Sequence, residues 1–145
     1  MNKDLAKTIF AKEVHSLNAT RLLQVRSWQI NELEFPIIDF TFQQAGRNSF
    51  RVRFQCENWN EQPPSISLHS EDGQFLKTLP KGSGVLNPGR HPSTGRPFTC
   101  TPGSREYHTH PSHISDHWEN YKGKSNYDLG GILTQIWNAW RKTHD

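Results

Sequence analysis

From Asp4 to Val25, apolar and polar positions recur at helical spacing, with Leu5, Ile9, Val14 and Leu17 along one side. This predicts a helix over 4–25, with Asp4 placed to cap its start and Asn18-Ala19-Thr20 placed to break it. At Trp28 the period changes. Residues 28–42, WQINELEFPIIDFTF, are rich in aromatic and β-branched types in partial alternation. They predict two strands or one bent strand, with Pro36 at an edge or bulge. Gln43–Asn48 contains Gly46 and reads as a turn. From Ser49 to Gln55, Phe50, Val52 and Phe54 alternate with Arg51 and Arg53, the pattern of a half-buried strand. Cys56–Pro64 reads as a loop ending in Pro63-Pro64. Ser65–His69 reads as a short strand with Ile66 and Leu68 inward, closed by Glu71-Asp72-Gly73.

Residues 80–103 hold five Gly and five Pro, and no regular element is expected at that density. A long irregular segment inside a compact domain is usually functional or disordered, and this one carries Cys100. The last element is the clearest. Leu129, Ile132, Leu133, Ile136, Trp137 and Trp140 recur at helical spacing, with Ser125 or Asn126 as the cap. Helix, antiparallel strands, long cysteine-bearing loop and helix, in that order, give an α+β fold. At 145 residues, against roughly 150 per domain, 1–145 is expected to be a single domain.

Composition narrows the classes. No apolar run reaches the 18 or so residues of a membrane span, and the charged start MNKDLAKTIFAKE lacks the apolar core of a secretory signal. Two cysteines, Cys56 and Cys100, are too few for a disulfide framework, so a reducing, cytoplasmic setting is expected. The net charge of +3 is spread out, and its densest grouping is only Arg47, Arg51 and Arg53. No nucleic-acid partner and no membrane partner is therefore expected.

Most lone cysteines are small buried apolar residues, and Cys56, at the end of an alternating strand, fits that role. Cys100 differs. Its neighbours are Pro, Gly and Thr rather than a periodic apolar set, and Arg90, His91, Arg96 and Arg105 surround it in sequence. Positive charge near a thiol raises its thiolate fraction.

The order of motifs resembles the ubiquitin-conjugating (UBC-fold) enzymes, in particular the divergent members of bacterial ubiquitin-like conjugation systems. The residues that carry the resemblance begin with the strand Phe50–Phe54 and Pro63-Pro64 before Ser65-Ile66-Ser67-Leu68. His91-Pro92-Ser93, then Gly95-Arg96-Pro97-Phe98-Thr99-Cys100, Asp116-His117-Trp118 and the C-terminal helix complete it. The resemblance implies a UBC-like fold: N-terminal helix, antiparallel β-meander, long active-site loop and C-terminal helix. It implies that Cys100 accepts the C-terminus of a ubiquitin-like protein from an activating-like enzyme by transthiolation and passes it to a protein or other acceptor. Ser93 stands where the family has an Asn associated with the oxyanion, and is expected to help stabilise it with backbone N–H groups of the loop. His91 and Pro92 are expected to support the loop, His91 by hydrogen bonds. Asp116, or a nearby His such as His110, is expected to orient or deprotonate the acceptor. No cofactor is implied, because ATP is used by the activating enzyme. The His-rich stretch Thr101–Ser115 departs from the common form of the family.

His108, His110, His113 and His117 fall within ten residues, close to Cys100. Imidazoles with a thiolate can hold zinc, so His108, His110 and His113 are candidate metal ligands, although their spacing matches no standard zinc motif. His108-Thr109-His110-Pro111 also resembles the metal-binding core of JAB-type metalloproteases. That motif continues with Ser and Asp where this chain has Trp118 and Tyr121. A metal-binding protein or hydrolase, and a non-catalytic UBC-like interaction module, are thus the alternatives to a conjugating enzyme. The remaining histidines, His15, His69 and His144, are expected at the surface.

Overall fold

The computed structural model describes residues 2–19 and 21–145. The N-terminal helical pattern resolves into two helices, α1 (Lys3–Ala19) and α2 (Leu22–Val25). Helix α1 ends at Ala19, inside the expected Asn18–Thr20 break; Thr20 itself lies outside the described residues. Arg21 adopts a left-handed φ of 59°, which turns the chain into α2. Asn2, not Asp4, caps α1: its side-chain oxygen accepts from the N–H groups of Asp4 and Leu5. The buried face of α1 is Ala6, Phe10 and Leu17, with Ile9 and Val14 at its margin, and Leu5 is exposed.

Four strands follow in a meander: β1 (Gln29–Glu34), β2 (Ile37–Phe42), β3 (Phe50–Gln55) and β4 (Ser65–His69), antiparallel and in spatial order β1-β2-β3-β4. The 28–42 segment is thus two strands, with Pro36 in the tight turn between them. Alternation sorts the faces. Phe40 pairs with Val52 and Phe54 with Ile66 on one face, all of them buried. Asp39 pairs with Arg53, and Arg51 with His69, on the other. A bulge between Ile30 and Glu32 turns Asn31 onto this polar face, where its amide donates to Asp39 Oδ1 and Thr41 Oγ1.

The fold takes up the three grouped arginines, Arg51 and Arg53 on that polar face and Arg47 in the turn before β3. Arg51 makes a two-nitrogen contact with Asp39 at 2.9 Å, and Arg53 Nη1 reaches the same carboxylate at 2.8 Å. Arg47 donates to the Trp140 carbonyl and to Thr143 Oγ1. These guanidinium groups are spent on the fold. His69, expected at the surface, is buried: its ring bridges Ser67 Oγ and the Gly73 carbonyl beside the polar network.

The C-terminal helix, α4 (Leu129–Arg141), buries Leu129, Ile132, Leu133, Ile136 and Trp140 against the apolar sheet face and α1. Its cap is Asp128, whose carboxylate accepts from Gly131 N at 2.7 Å; Ser125 belongs to a short 3-10 turn, Ser125–Tyr127, just before it. Trp137, placed by its spacing on the core face, is only half-buried, under the guanidinium groups of Arg26 and Arg141. Glu13 ties the layers together. One carboxylate oxygen accepts from Trp59 Nε1 and the other from Leu129 N, both at 2.7 Å. No helix among the described residues is long and apolar enough to cross a membrane.

Candidate active site

The segment 80–103 is irregular but not free of structure. A two-residue ladder joins β5 (Leu86–Asn87) to β6 (Phe98–Thr99), and the Cys100 N–H continues it to the Val85 carbonyl at 2.6 Å. Between these strands His91 N bonds to the Arg96 carbonyl, and Gly95 N to the His91 carbonyl, closing a compact turn. His91 is 2% exposed. Its Nδ1 accepts from Ser93 N at 3.0 Å, which leaves the proton on Nε2 to donate to the Glu106 carbonyl at 2.9 Å. With both nitrogens engaged, His91 supports the loop and is no base. Pro92 and Ser93 are exposed at the tip of the turn, and Ser93 enters the loop's hydrogen bonding through its N–H.

After Cys100 the chain forms a short helix that the sequence did not suggest, α3 (Arg105–Thr109). Ser104 caps it by accepting from Tyr107 N, while its hydroxyl donates to the Thr99 carbonyl. Glu106 docks α3 on β4: its carboxylate accepts from Ile66 N and Ser65 Oγ, each at 2.7 Å. Arg105 binds the carbonyls of Pro63 and Pro64, which gives the Pro-Pro turn its place under the loop. Gly103, at φ +100°, brings the backbone against α4, where a Cβ would stand 3.0 Å from Ile132 Cγ1.

These anchors hold Cys100 half-buried at the surface, with its Sγ 3.4 Å from Nε2 of His113. His113, rather than His110, is the imidazole at the sulfur. Its ring lies flat on Tyr107, centroids 4.2 Å apart and planes 14° apart. The Tyr107 hydroxyl donates to Asp116 Oδ2, as does that of Tyr121, both at 2.6 Å. The two phenols hold the Asp116 carboxyl below its ordinary range, and the phenols shift up in turn, Tyr107 mainly through burial and Tyr121 mainly through this bond. Asp116 therefore tethers the segment that presents His113.

His108 and His110 are engaged elsewhere. His108 Nε2 accepts from Gly103 N at 3.1 Å and its Nδ1 donates to the Asp116 carbonyl at 2.8 Å. Burial lowers its pKa, against the opposing pull of Asp116. His110 stacks on Phe98, and its Nδ1 accepts from Ser112 N. His117 is exposed. No group of three or more His, Cys, Asp or Glu among the described residues is disposed to hold a metal ion, so His108, His110 and His113 do not converge as ligands. Two backbone donors of the loop are also committed, Cys100 N to Val85 and Gly103 N to His108. Cys56 is 1% exposed, and burial pushes its thiol up, as suits a packing residue.

What this geometry offers is a nucleophile beside a base. With Nε2 unprotonated, His113 accepts the thiol proton; with Nε2 protonated, it donates to the thiolate. The sequence does not single out His113, which stands there as one of four histidines near Cys100, each a candidate metal ligand or acceptor of a proton from the thiol or an incoming nucleophile. The residues are 13 apart and joined by a helix and two turns, so only the fold selects among four nearby histidines.

A sequence model of the Y4jH-like family (Y4jH family) matches residues 90–143. The match starts one residue before His91 and takes in Cys100, His113, Asp116 and α4. No curated protein matches the chain in sequence.

Proposed function

We propose that the chain is a thioester-forming acyl carrier on a UBC-like frame, with Cys100 as the nucleophile and His113 as its base. The observation that carries the proposal is the 3.4 Å approach of His113 Nε2 to Cys100 Sγ, in a loop fixed on both sides of the sulfur. The order of elements supports the frame: N-terminal helix, four-stranded meander, a long loop through His91-Pro92 to Cys100, and a C-terminal helix under the sheet. His113 Nε2 takes the thiol proton and the sulfur attacks the carbonyl carbon of an incoming thioester. The tetrahedral intermediate collapses, the donor thiolate leaves, and the acyl group stays on Cys100. The acyl group is the C-terminus of a ubiquitin-like protein, delivered by an activating-like enzyme. Splitting one acyl transfer into two steps lets the acceptor be chosen after charging.

A mercaptoethanesulfonate thioester of a peptide ending in Gly-Gly tests this without the activating enzyme. Intact mass should show one peptidyl adduct that hydroxylamine removes. It should vanish in Cys100→Ala and persist in Cys56→Ala. No adduct on the folded wild-type protein, or one on Cys56, refutes the assignment; an unreactive Cys100 would make the chain an interaction module.

A further inference from the structure

Independently of the thioester reading, we propose that Arg26, Trp137 and Arg141 form a docking surface for an acidic segment of a protein partner, which sets a carboxylate against each guanidinium and an apolar side chain on the indole. Trp137 lies on the flank of α4 and is only half-buried. Arg26, just after α2, places its guanidinium 4.6 Å from the centre of the Trp137 ring, and Arg141 places its own 4.3 Å from it. Arg26 is fixed there by donating to Thr134 Oγ1 at 2.7 Å and by lying 5.2 Å from the centre of the Trp28 ring. The rings of Trp28 and Trp137 meet edge to face, 5.8 Å apart, so the buried Trp28 supports the surface from the core side.

This pair of cations lacks its anions. Arg51 and Arg53 share Asp39, and Arg47 meets Asp145. Neither Arg26 nor Arg141 has a carboxylate within ion-pair distance among the described residues. The sequence gives the reason: residues 21–31 and α4 contain no Asp or Glu. Arg26 feels burial and the like charge of Arg141 instead, and both hold its guanidinium below its ordinary range. Two cations brought to one ring repel each other, and a carboxylate set against each would remove that cost.

Apolar surface borders the cations and selects the kind of anion. Val25, the residue before Arg26, is 79% exposed. Ile30 lies on β1, at the open edge of the sheet, on the same side as Trp28, and is 48% exposed. A bare phosphate would satisfy the arginines and leave this apolar surface in water. A polyanion such as a nucleic acid needs a wider basic track, and the net charge of +3 is spread over the chain. An acidic segment with an apolar residue among its carboxylates meets both features, and Trp and Arg are the residue types that anchor protein interfaces.

The experiment titrates the peptide acetyl-Asp-Glu-Leu-Phe-Glu-Asp-amide into the 15N-labelled full chain at low salt and follows the Trp137 indole N–H signal, assigned with Trp137→Phe. The signal should move saturably with the acidic peptide and stay in place with the same peptide carrying Asn and Gln for Asp and Glu. Arg26→Gln and Arg141→Gln should each weaken binding roughly tenfold, the low end for a charge-assisted hydrogen bond. The indole signals of Trp59 and Trp118, unmoved in both variants, report that the fold is intact. No saturable movement at millimolar peptide, equal binding of the neutral peptide, or unchanged affinity in the two folded variants overturns the proposal. Parallel arms with phosphatidylserine vesicles and a short oligothymidylate read the other anions. Tighter binding of either than of the peptide, lost in the same two variants, assigns the surface to lipid or nucleic acid and overturns it as well. So does movement of the Trp137 signal with protein concentration alone, which would place a second copy of the chain there. None of these outcomes touches the charging of Cys100, so the thioester reading stands or falls separately.

Discussion

Asp39 shows how single side chains hold the fold around the site. It is fully buried on β2, and burial alone would raise its carboxyl pKa. Hydrogen bonds from Arg51, Arg53 and Asn31 together outweigh that and hold it below the ordinary carboxylate range. One carboxylate thus joins β1, β2 and β3 on the face away from the core. Asp39→Ala would strand two guanidinium groups and an amide. Since both arginines keep some contact with water, a loss of about 3 kcal/mol is expected, the low end for breaking a buried pair. Urea unfolding of the variant measures it, and a midpoint equal to wild type would show that the network contributes nothing. At the same scale, His91 and His113 are one residue type in two roles. His91 has a partner on each nitrogen and holds the loop, whereas His113 turns its Nε2 to the sulfur.

Among the elements, α4 carries the tightest fit. Its first turn crosses close to the preceding 3-10 turn, so a Cβ on Gly131 would lie 2.5 Å from the Asn126 carbonyl oxygen. Ala normally adds up to about 1 kcal/mol over Gly inside a helix. Here the sign should reverse. Gly131→Ala is expected to destabilise by roughly 1–3 kcal/mol, the range for forcing extra volume into packed structure. The denaturant midpoint decides it: a stabilised variant would mean the first turn of α4 can shift freely. A shift would also be felt at Cys100, because Gly103 rests on Ile132, the next residue of α4. Helix α3 makes the complementary contact, using Glu106 to fasten the other side of the loop to β4.

Over the whole molecule, two histidines, the buried His69 and the half-buried His108, set the response to acid. His69 and His108 are each held neutral, chiefly by burial, with pKa values below the ordinary 6.5. The unfolded chain therefore takes up protons near pH 6.5 that the folded chain refuses, and stability should fall as pH drops below that value toward their folded pKa values. Glu13 acts with the opposite sign. Burial raises its carboxyl above the ordinary 4.5, so the folded chain binds that proton first and recovers some stability near and below that pH. Asp39 and Asp116, both lowered, add their loss only below the ordinary 3.8. Urea midpoints taken from pH 8 to pH 5 should decline, and the double variant His69→Gln, His108→Gln should flatten the decline. An equal slope in the variant would place the titration elsewhere.

Local pattern determined a good deal. The alternation of Phe50, Val52 and Phe54 against Arg51 and Arg53 settles a two-faced strand, because successive side chains in a strand point to opposite sides. The 3–4 spacing from Leu129 to Trp140 settles a core helix, and the Gly/Pro density around Cys100 settles a largely irregular loop. The burial of Cys56 follows the sequence expectation as well. What the sequence left open depends on residues far apart in the chain. Glu13 accepting from Leu129 N at the start of α4, Glu106 docking α3 on β4, and Asp39 binding residues of the next strand are contacts across 12 to 116 positions. No local period encodes them. The choice of His113 over His108, His110 and His117 is of the same kind. All four share one short segment and one chemistry, and only the packing of that segment on Tyr107, Phe98 and the Gly103 backbone decides which ring nitrogen faces Cys100.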